Sequence, residues 1–260
     1  ALFDPAQVRV LSAKGAEVPA QVSITAFWPD DSLKWVLVDF DTPLRAREDA
    51  ECIVEFGSQV KRASPASPLK VADTPEALTV TTGPLQVVVD RQRFNLFREV
   101  RRAVNGRFEP VAASGEEGIR LVDEQGKRFT ASGRPPESVR IEEQGPRKVV
   151  VRVEGAYTAA DGATYMRYVA RLTFRAGSPR VGLLLTHVND YLKTEFTDIT
   201  SLTLPLVPAG GVRQAALFLR GDGGKLQSVE GRSLSLFQVD EAKCALQAGG
   251  GKREGGKAPG

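Results

Sequence analysis

The sequence predicts an all-β protein of sandwich or barrel type, and three observations carry that prediction. Apolar residues recur with a period of two along most of the chain, the runs are short, and tight-turn signals separate them. The 260 residues are 42% hydrophobic and 26% charged. That is enough chain for one large domain or two ordinary ones with a real core.

Near the start, Val22, Ile24, Ala26 and Trp28 alternate with Ser23 and Thr25. Lys34 to Phe40 is apolar on both faces, which predicts a central strand covered on both sides. Cys52, Val54 and Phe56 again alternate with Glu51, Ile53 and Glu55. Further strands are expected at Val149 to Val153, Tyr165 to Phe174, Val181 to Asp190, Leu202 to Leu206 and Ala215 to Arg220. Turn signals lie between the runs: Ala13-Lys14-Gly15, Asn105-Gly106, Glu124-Gln125-Gly126, Asp161-Gly162 and Gly221-Asp222-Gly223-Gly224. One segment reads two ways. In Phe94 to Val104 the positions Phe97, Val100 and Val104 fit helical spacing, while Phe94 and Leu96 fit a strand equally well.

Prolines 65, 68 and 75 interrupt the pattern and remove ladder donors. They divide a small β domain, residues 1–72, from a larger one, residues 73–260. No internal repeat of fixed period is visible. The chain opens at Ala1, its one methionine is Met166, and it closes in a Gly/Lys-rich run from Gly249 to Gly260 with no element to end on. This pattern is expected of a processed or truncated piece.

Charge and composition exclude several classes. The 35 basic and 32 acidic residues nearly cancel, which argues against a dedicated nucleic-acid binder while leaving room for a local basic cleft. No stretch approaches the apolar length of a membrane span. Cys52 and Cys244 sit in strand-like apolar contexts, where two buried free thiols are expected; a disulfide joining the two ends is the alternative. With one histidine and no C-x-x-C spacing, no metal site is expected. Gly221 to Gly224 lacks a following lysine-serine pair and reads as a hairpin turn, not a phosphate loop. No G-x-S-x-G supports a serine nucleophile.

The most specific segment is Ala26-Phe27-Trp28-Pro29-Asp30-Asp31-Ser32-Leu33-Lys34-Trp35-Val36-Leu37-Val38-Asp39-Phe40. It reads as a hairpin with Pro29 to Ser32 in the turn and the chain's two tryptophans anchoring it in the core. This segment resembles the N-terminal RIFT-barrel hairpin of the exo-rhamnogalacturonan lyase and YetA-like family, with Asp31 where that family usually carries glycine. The departure is expected to change the turn type and not the fold. Val80 to Asp90 with Phe94 to Phe97, and Arg171 to Val181 leading into Thr186-His187-Val188-Asn189-Asp190, resemble the family's central β-sandwich; Val188 replaces the usual Thr after the His. The resemblance implies a small N-terminal RIFT-type β-barrel followed by a larger antiparallel β-sandwich. It also implies a C-terminal helical toroid, which nothing in these 260 residues could form.

The resemblance further implies β-elimination on a rhamnogalacturonan-type pectic glycan or other uronate-containing glycan, in a secreted or periplasmic protein. No cofactor is implied, calcium being left open, and neither nucleic acid nor membrane is an expected partner. Elimination needs a cation on the uronate carboxylate, a base for the C5 proton and an acid for the leaving oxygen. Strand alternation puts Met166, Tyr168, Ala170, Leu172 and Phe174 on one face, and Tyr165, Arg167, Val169 and Arg171 on the other. Tyr165, Arg167 and Arg171 are therefore candidate sugar-binding residues, with a solvated outer face as the plain alternative. His187, the sole imidazole, reads either as a catalytic base or as a satisfied structural histidine. Tyr191 and Lys193 are the further catalytic candidates, and Asn189 a further binding residue. A non-catalytic carbohydrate-binding or scaffold module is the competing reading, since a β-sandwich hosts either.

Overall fold

The computed structural model describes residues 1–64 and 66–211, and beyond these the strands 214–218, 226–230, 234–240, 243–248 and 254–257. Among the described residues there is no α-helix, only strands and one 3-10 turn at Pro5–Gln7. The chain forms two compact units, Ala1–Pro205 and Leu206–Gly260. The division after Pro205 falls inside the second domain expected from the sequence, residues 73–260.

The first unit begins with β1 (Val8–Ser12), β2 (Glu17–Val18), β3 (Ala20–Phe27), β4 (Leu33–Phe40) and β5 (Cys52–Phe56). Three of them form a sheet in the order β2-β1-β5, and β3 pairs with β4 as a separate hairpin. The sandwich follows. One sheet contains β6 (Lys70–Asp73), β7 (Ala77–Thr81), β8 (Leu85–Asp90), β9 (Glu99–Val104) and β10 (Arg107–Ser114) as an up-and-down meander. The other contains β11 (Arg120–Asp123), β12 (Arg128–Thr130), β13 (Ser138–Gln144), β14 (Lys148–Thr158), β15 (Thr164–Arg175), β16 (Val181–Val188) and β17 (Ile199–Thr203). Its order is β16-β15-β14-β12-β11-β17, with β13 also on β14.

Period-two patterning builds the core between these sheets. Val149, Val151 and Val153 stand opposite Phe174, Leu172 and Ala170 on β15, and all six are buried against Leu78, Val80, Val87 and Val89 of the facing sheet. Each fully buried Val, Leu or Phe side chain contributes about 1.5–3 kcal/mol. The ambiguous segment resolves as two pieces: Phe94, Leu96 and Phe97 plug the core from a loop, and Glu99–Val104 is strand β9. Asn105-Gly106 closes the β9–β10 hairpin with both residues at positive φ, 49° and 78°, the conformation a two-residue type I′ turn requires.

Two expectations about the N-terminal hairpin are corrected. The tryptophans do not anchor it in the core, for Trp28 is 50% and Trp35 64% exposed. Nor is β4 a covered central strand, since among the described residues it pairs with β3 alone and leaves Leu37 exposed as well. Alternation dictates which side chains share a face; it does not supply a layer to cover that face.

Polar contacts at the opposite end of the hairpin fasten it to the sandwich. The buried Gln21 accepts the backbone N–H of Arg147 (3.1 Å) and Lys148 (2.9 Å), and donates to Glu143 (2.7 Å). Asp39 accepts from Lys148 Nζ (2.8 Å) and from Arg175 (2.6 Å). Burial pushes the Asp39 carboxyl up, and the hydrogen bonds from Arg175 and Lys148 outweigh it and hold it below the ordinary value. Gly145 is required at this junction: a Cβ there would lie 2.3 Å from the Gln21 amide. At the hairpin's tip, Asp31 sits at φ 62°, the left-handed conformation glycine adopts freely and aspartate tolerates.

In the second unit the strands are β18 (Leu206–Pro208), β19 (Gln214–Phe218), β20 (Leu226–Glu230), β21 (Leu234–Asp240), β22 (Lys243–Ala248) and β23 (Glu254–Lys257). β19 pairs with β20, and β21, β22 and β23 form a three-stranded sheet. The chain thus has a strand inside its Gly/Lys-rich tail, because ladder pairing needs only backbone groups and Glu254 to Lys257 contains no proline. The expected Gly221 to Gly224 turn and the last two residues of the strand expected to end at Arg220 lie outside the described residues. Cys52 is a half-buried free thiol; the side chain of Cys244 lies outside the described residues.

Candidate functional site

The candidate site is an open pocket of about 440 Å³ at one end of the β14–β15 ladder, lined by Arg134, Glu137, Ala156, Thr164, Met166, Arg167, Asp190, Tyr191, Leu192 and Lys193. A bulge shapes its floor. β14 and β15 pair Ala156 with Arg167 and Thr158 with Thr164, so Tyr157 faces two residues, Tyr165 and Met166. Met166 takes φ 63°, an unusual conformation for a residue that is neither Gly, Asn nor Asp.

The bulge resets the alternation and corrects the predicted face. Tyr165 is 7% exposed and stacks on Phe129 at 5.1 Å between ring centroids, so it does not share the open face of Arg167 and Arg171. Its hydroxyl donates to the Asp198 carbonyl (3.2 Å), and its ring meets Tyr191 edge-on at 4.7 Å. Tyr165 thus supports Tyr191 from below. Lys193 Nζ stands 5.9 Å from the Tyr191 ring centroid.

The remaining sequence candidates separate. Arg167 lines the pocket, ion-paired with Glu137 and 4.0 Å from Asp190. Arg171 lies farther along the strand, where it grips Glu142 with two bonds, 2.7 and 3.1 Å, and Arg152 shares the same carboxylate at 3.0 Å. The Arg171 hydrogen bond, working against burial, holds the Glu142 carboxyl below its ordinary range. That guanidinium is committed. Asn189 shapes the loop, its Oδ1 accepting from the Tyr191 N–H (3.3 Å) and the Thr197 hydroxyl (3.1 Å).

His187 is not among the residues that line the pocket. Its Nδ1 lies 3.0 Å from the Tyr157 hydroxyl, and its ring ends an aromatic series running through Tyr157 and Tyr168 to Phe94. Burial pushes the Tyr157 phenol well above its ordinary value, so the phenol keeps its proton and donates it. Nδ1 is then the acceptor, and the imidazole proton sits on Nε2. Burial also lowers the His187 pKa, which favours the neutral ring. This is the geometry of a satisfied histidine.

Three cations against two carboxylates line the pocket. Arg134 pairs with Glu137 at 2.9 Å and Arg167 with Glu137 and Asp190. Among the described residues Lys193 is engaged only over the Tyr191 ring, so it is the cation with charge to offer an acidic ligand. Arg134, Glu137, Met166 and Asp190 were missed in the sequence. Asp190 adjoins the singled-out Asn189 and could have been noticed, whereas only the bulge brings Met166 to the pocket. No group of three or more His, Cys, Asp or Glu side chains able to hold a metal occurs among the described residues. No helix there is long and apolar enough to cross a membrane.

Comparison with known proteins agrees with this architecture. Residues 69–206 match the PcRGLX-like protein central beta sandwich domain, and residues 2–43 match the PcRGLX-like N-terminal RIFT barrel domain. The chain belongs to the PcRGLX-like family. Within this family frame, β1 to β4 fall in the RIFT-barrel match and β6 to β17 lie inside the sandwich match. The chain is also similar to the uncharacterized protein YetA of Bacillus subtilis (strain 168), 26% identical over 177 residues. That alignment covers 64% of this chain and 19% of YetA, so the chain spans about a fifth of the relative's length.

Proposed function

We propose that this chain is the β-rich part of a polysaccharide lyase-like protein that binds uronate-containing, rhamnogalacturonan-type pectic glycans and cleaves them by β-elimination. The observation that carries the reading is the pocket at the β14–β15 bulge, where Lys193 remains available to a carboxylate and Tyr191 stands beside it. Neutralising a uronate carboxylate acidifies the C5 proton. A base then removes that proton, the electron pair forms the C4–C5 double bond, and the C4–O bond breaks as the leaving oxygen is protonated. In this reading Lys193 holds the carboxylate, and Tyr191, whose ring lies beneath the Lys193 ammonium, is the candidate to carry a proton. Such a substrate implies a secreted or periplasmic protein, working with the helical domain that the family resemblance implies.

Exposure of Trp28 and Trp35 favours a second reading, a non-catalytic module that presents sugars. Exposed aromatic faces suit stacking on sugar rings, and the pocket arginines are already bound to carboxylates. Incubation of this chain, and of any longer native product, with rhamnogalacturonan oligosaccharides separates the two. The ultraviolet absorbance of an unsaturated uronate reports elimination. The lyase reading expects that signal from at least one of the two lengths and at least a tenfold loss in Lys193→Ala. No signal from either length overturns it, and glycan binding without signal selects the module.

A further inference from the structure

Among the described residues strand β16 ends its sheet, pairing with β15 alone, and presents an open edge of a kind that folded proteins normally protect. Its eight residues, Val-Gly-Leu-Leu-Leu-Thr-His-Val, carry no Lys, Arg, Asp, Glu or Pro. The comparison within the same sandwich is informative. β6 is four residues long with Lys70 and Asp73 at its ends, and β13, paired among the described residues with β14 alone, carries Arg140, Glu142 and Glu143. β16 has neither the shortness nor the charges. Leu184 is 60% exposed, and Leu183 and Val188 are exposed too.

Charge sits just outside this neutral strand, and it is polar in sign. Arg180 precedes β16 and Asp190 follows two residues after it; both are exposed. Arg180 makes no ion pair among the described residues, and the nearest cation to Asp190 is Arg167 at 4.0 Å. A segment positive at one end and negative at the other is complementary to an antiparallel copy of itself.

We propose that two copies of this chain pair through β16, antiparallel, about a two-fold axis at Leu185. The register follows from geometry. Pairing about a two-fold normal to the sheet keeps both core faces on the same side, so residues of like parity must stand opposite each other. Among such registers, the one that opposes Arg180 to Asp190 sets Leu185 against Leu185, Leu183 against His187, Leu184 against Thr186 and Gly182 against Val188. Both ends then carry an ion pair, the exposed leucines are covered, and the open edge becomes an interior ladder of a continuous sheet. Asp190 also lines the candidate pocket, so the second copy's Arg180 arrives at the pocket rim as a further cation. That last consequence rests on the glycan-binding reading; the pairing itself does not.

Sedimentation velocity of the 260-residue chain, from about 1 to 200 µM, tests the pairing without any ligand. The expected species is a concentration-dependent dimer of twice the 28.1 kDa chain mass. Arg180→Asp and Asp190→Arg each weaken it by roughly tenfold, since two like-charge contacts replace two ion pairs, and the double exchange restores it. Leu184→Lys, at an exposed position that leaves the core intact, gives a monomer whose far-ultraviolet circular dichroism is unchanged. A wild type that stays monomeric throughout the range overturns the proposal. A dimer indifferent to Leu184→Lys and to both charge reversals overturns it as well, because such a dimer uses another surface.

Discussion

The sandwich and the N-terminal hairpin are made of the same strand-forming residues, yet they are held by different forces. Between the sandwich sheets, Leu121, Val151, Tyr168, Leu172 and Phe174 lose essentially all contact with solvent. In the hairpin, Phe27, Trp28, Trp35 and Leu37 keep about half of theirs or more, and attachment falls to Gln21, Asp39 and the backbone beside Gly145. The lesson is that an apolar strand earns its stability only when a second layer covers it; without one, a few charged hydrogen bonds fix position instead.

Urea denaturation of single variants should separate the two regions. Leu172→Ala removes a side chain with 0% exposure and should cost about 2–5 kcal/mol. Asp39→Ala removes the carboxylate between Lys148 and Arg175; because Arg175 is 42% exposed at its side chain, a loss of about 1–2 kcal/mol is expected, below that of a fully buried pair. Hydrogen exchange should then rise in β3 and β4 and stay unchanged in β14 and β15. Trp35→Ala should change stability by less than about 1 kcal/mol; a larger loss would mean that the hairpin is packed after all. Smallest is Asp31→Gly, which removes a left-handed strain and should stabilise by roughly 0.5–1 kcal/mol.

The same junction sets a pH dependence. The folded Asp39 pKa lies below its ordinary value of 3.8. Its contribution is therefore fully present above about that pH and is lost as pH falls through the folded value. Hairpin amides should lose exchange protection in that acid window before sandwich amides do, and Asp39→Asn should abolish the difference. Simultaneous loss in both regions would show that Asp39 is not what holds the hairpin.

Much of the fold was legible because period two is a direct consequence of strand geometry, and Asn105-Gly106 names its own turn. The strands of the sandwich, including β14 and β15, could be read from Val149 to Val153 and Tyr165 to Phe174. Coverage was not legible. Nothing in Trp28 or Trp35 says whether a layer lies above them, and the sequence placed them in the core. The site was half legible: Arg167, Tyr191 and Lys193 do meet in one pocket, while Tyr165 turns inward. The cause is the bulge at Met166, one extra residue whose positive φ has no signature in a run that alternates without interruption. His187 drew attention as the sole imidazole, but its partner, Tyr157, lies 30 residues away in sequence.

Calorimetric titration with a rhamnogalacturonan oligosaccharide asks whether the pocket of Arg167, Tyr191 and Lys193 takes an acidic sugar, as proposed. The expected result is saturable binding that weakens with salt, falls at least tenfold in Lys193→Ala, and is unchanged in His187→Gln. Binding that ignores Lys193→Ala, or that is lost with Trp28→Ala and Trp35→Ala instead, would contradict it and move the glycan to the hairpin.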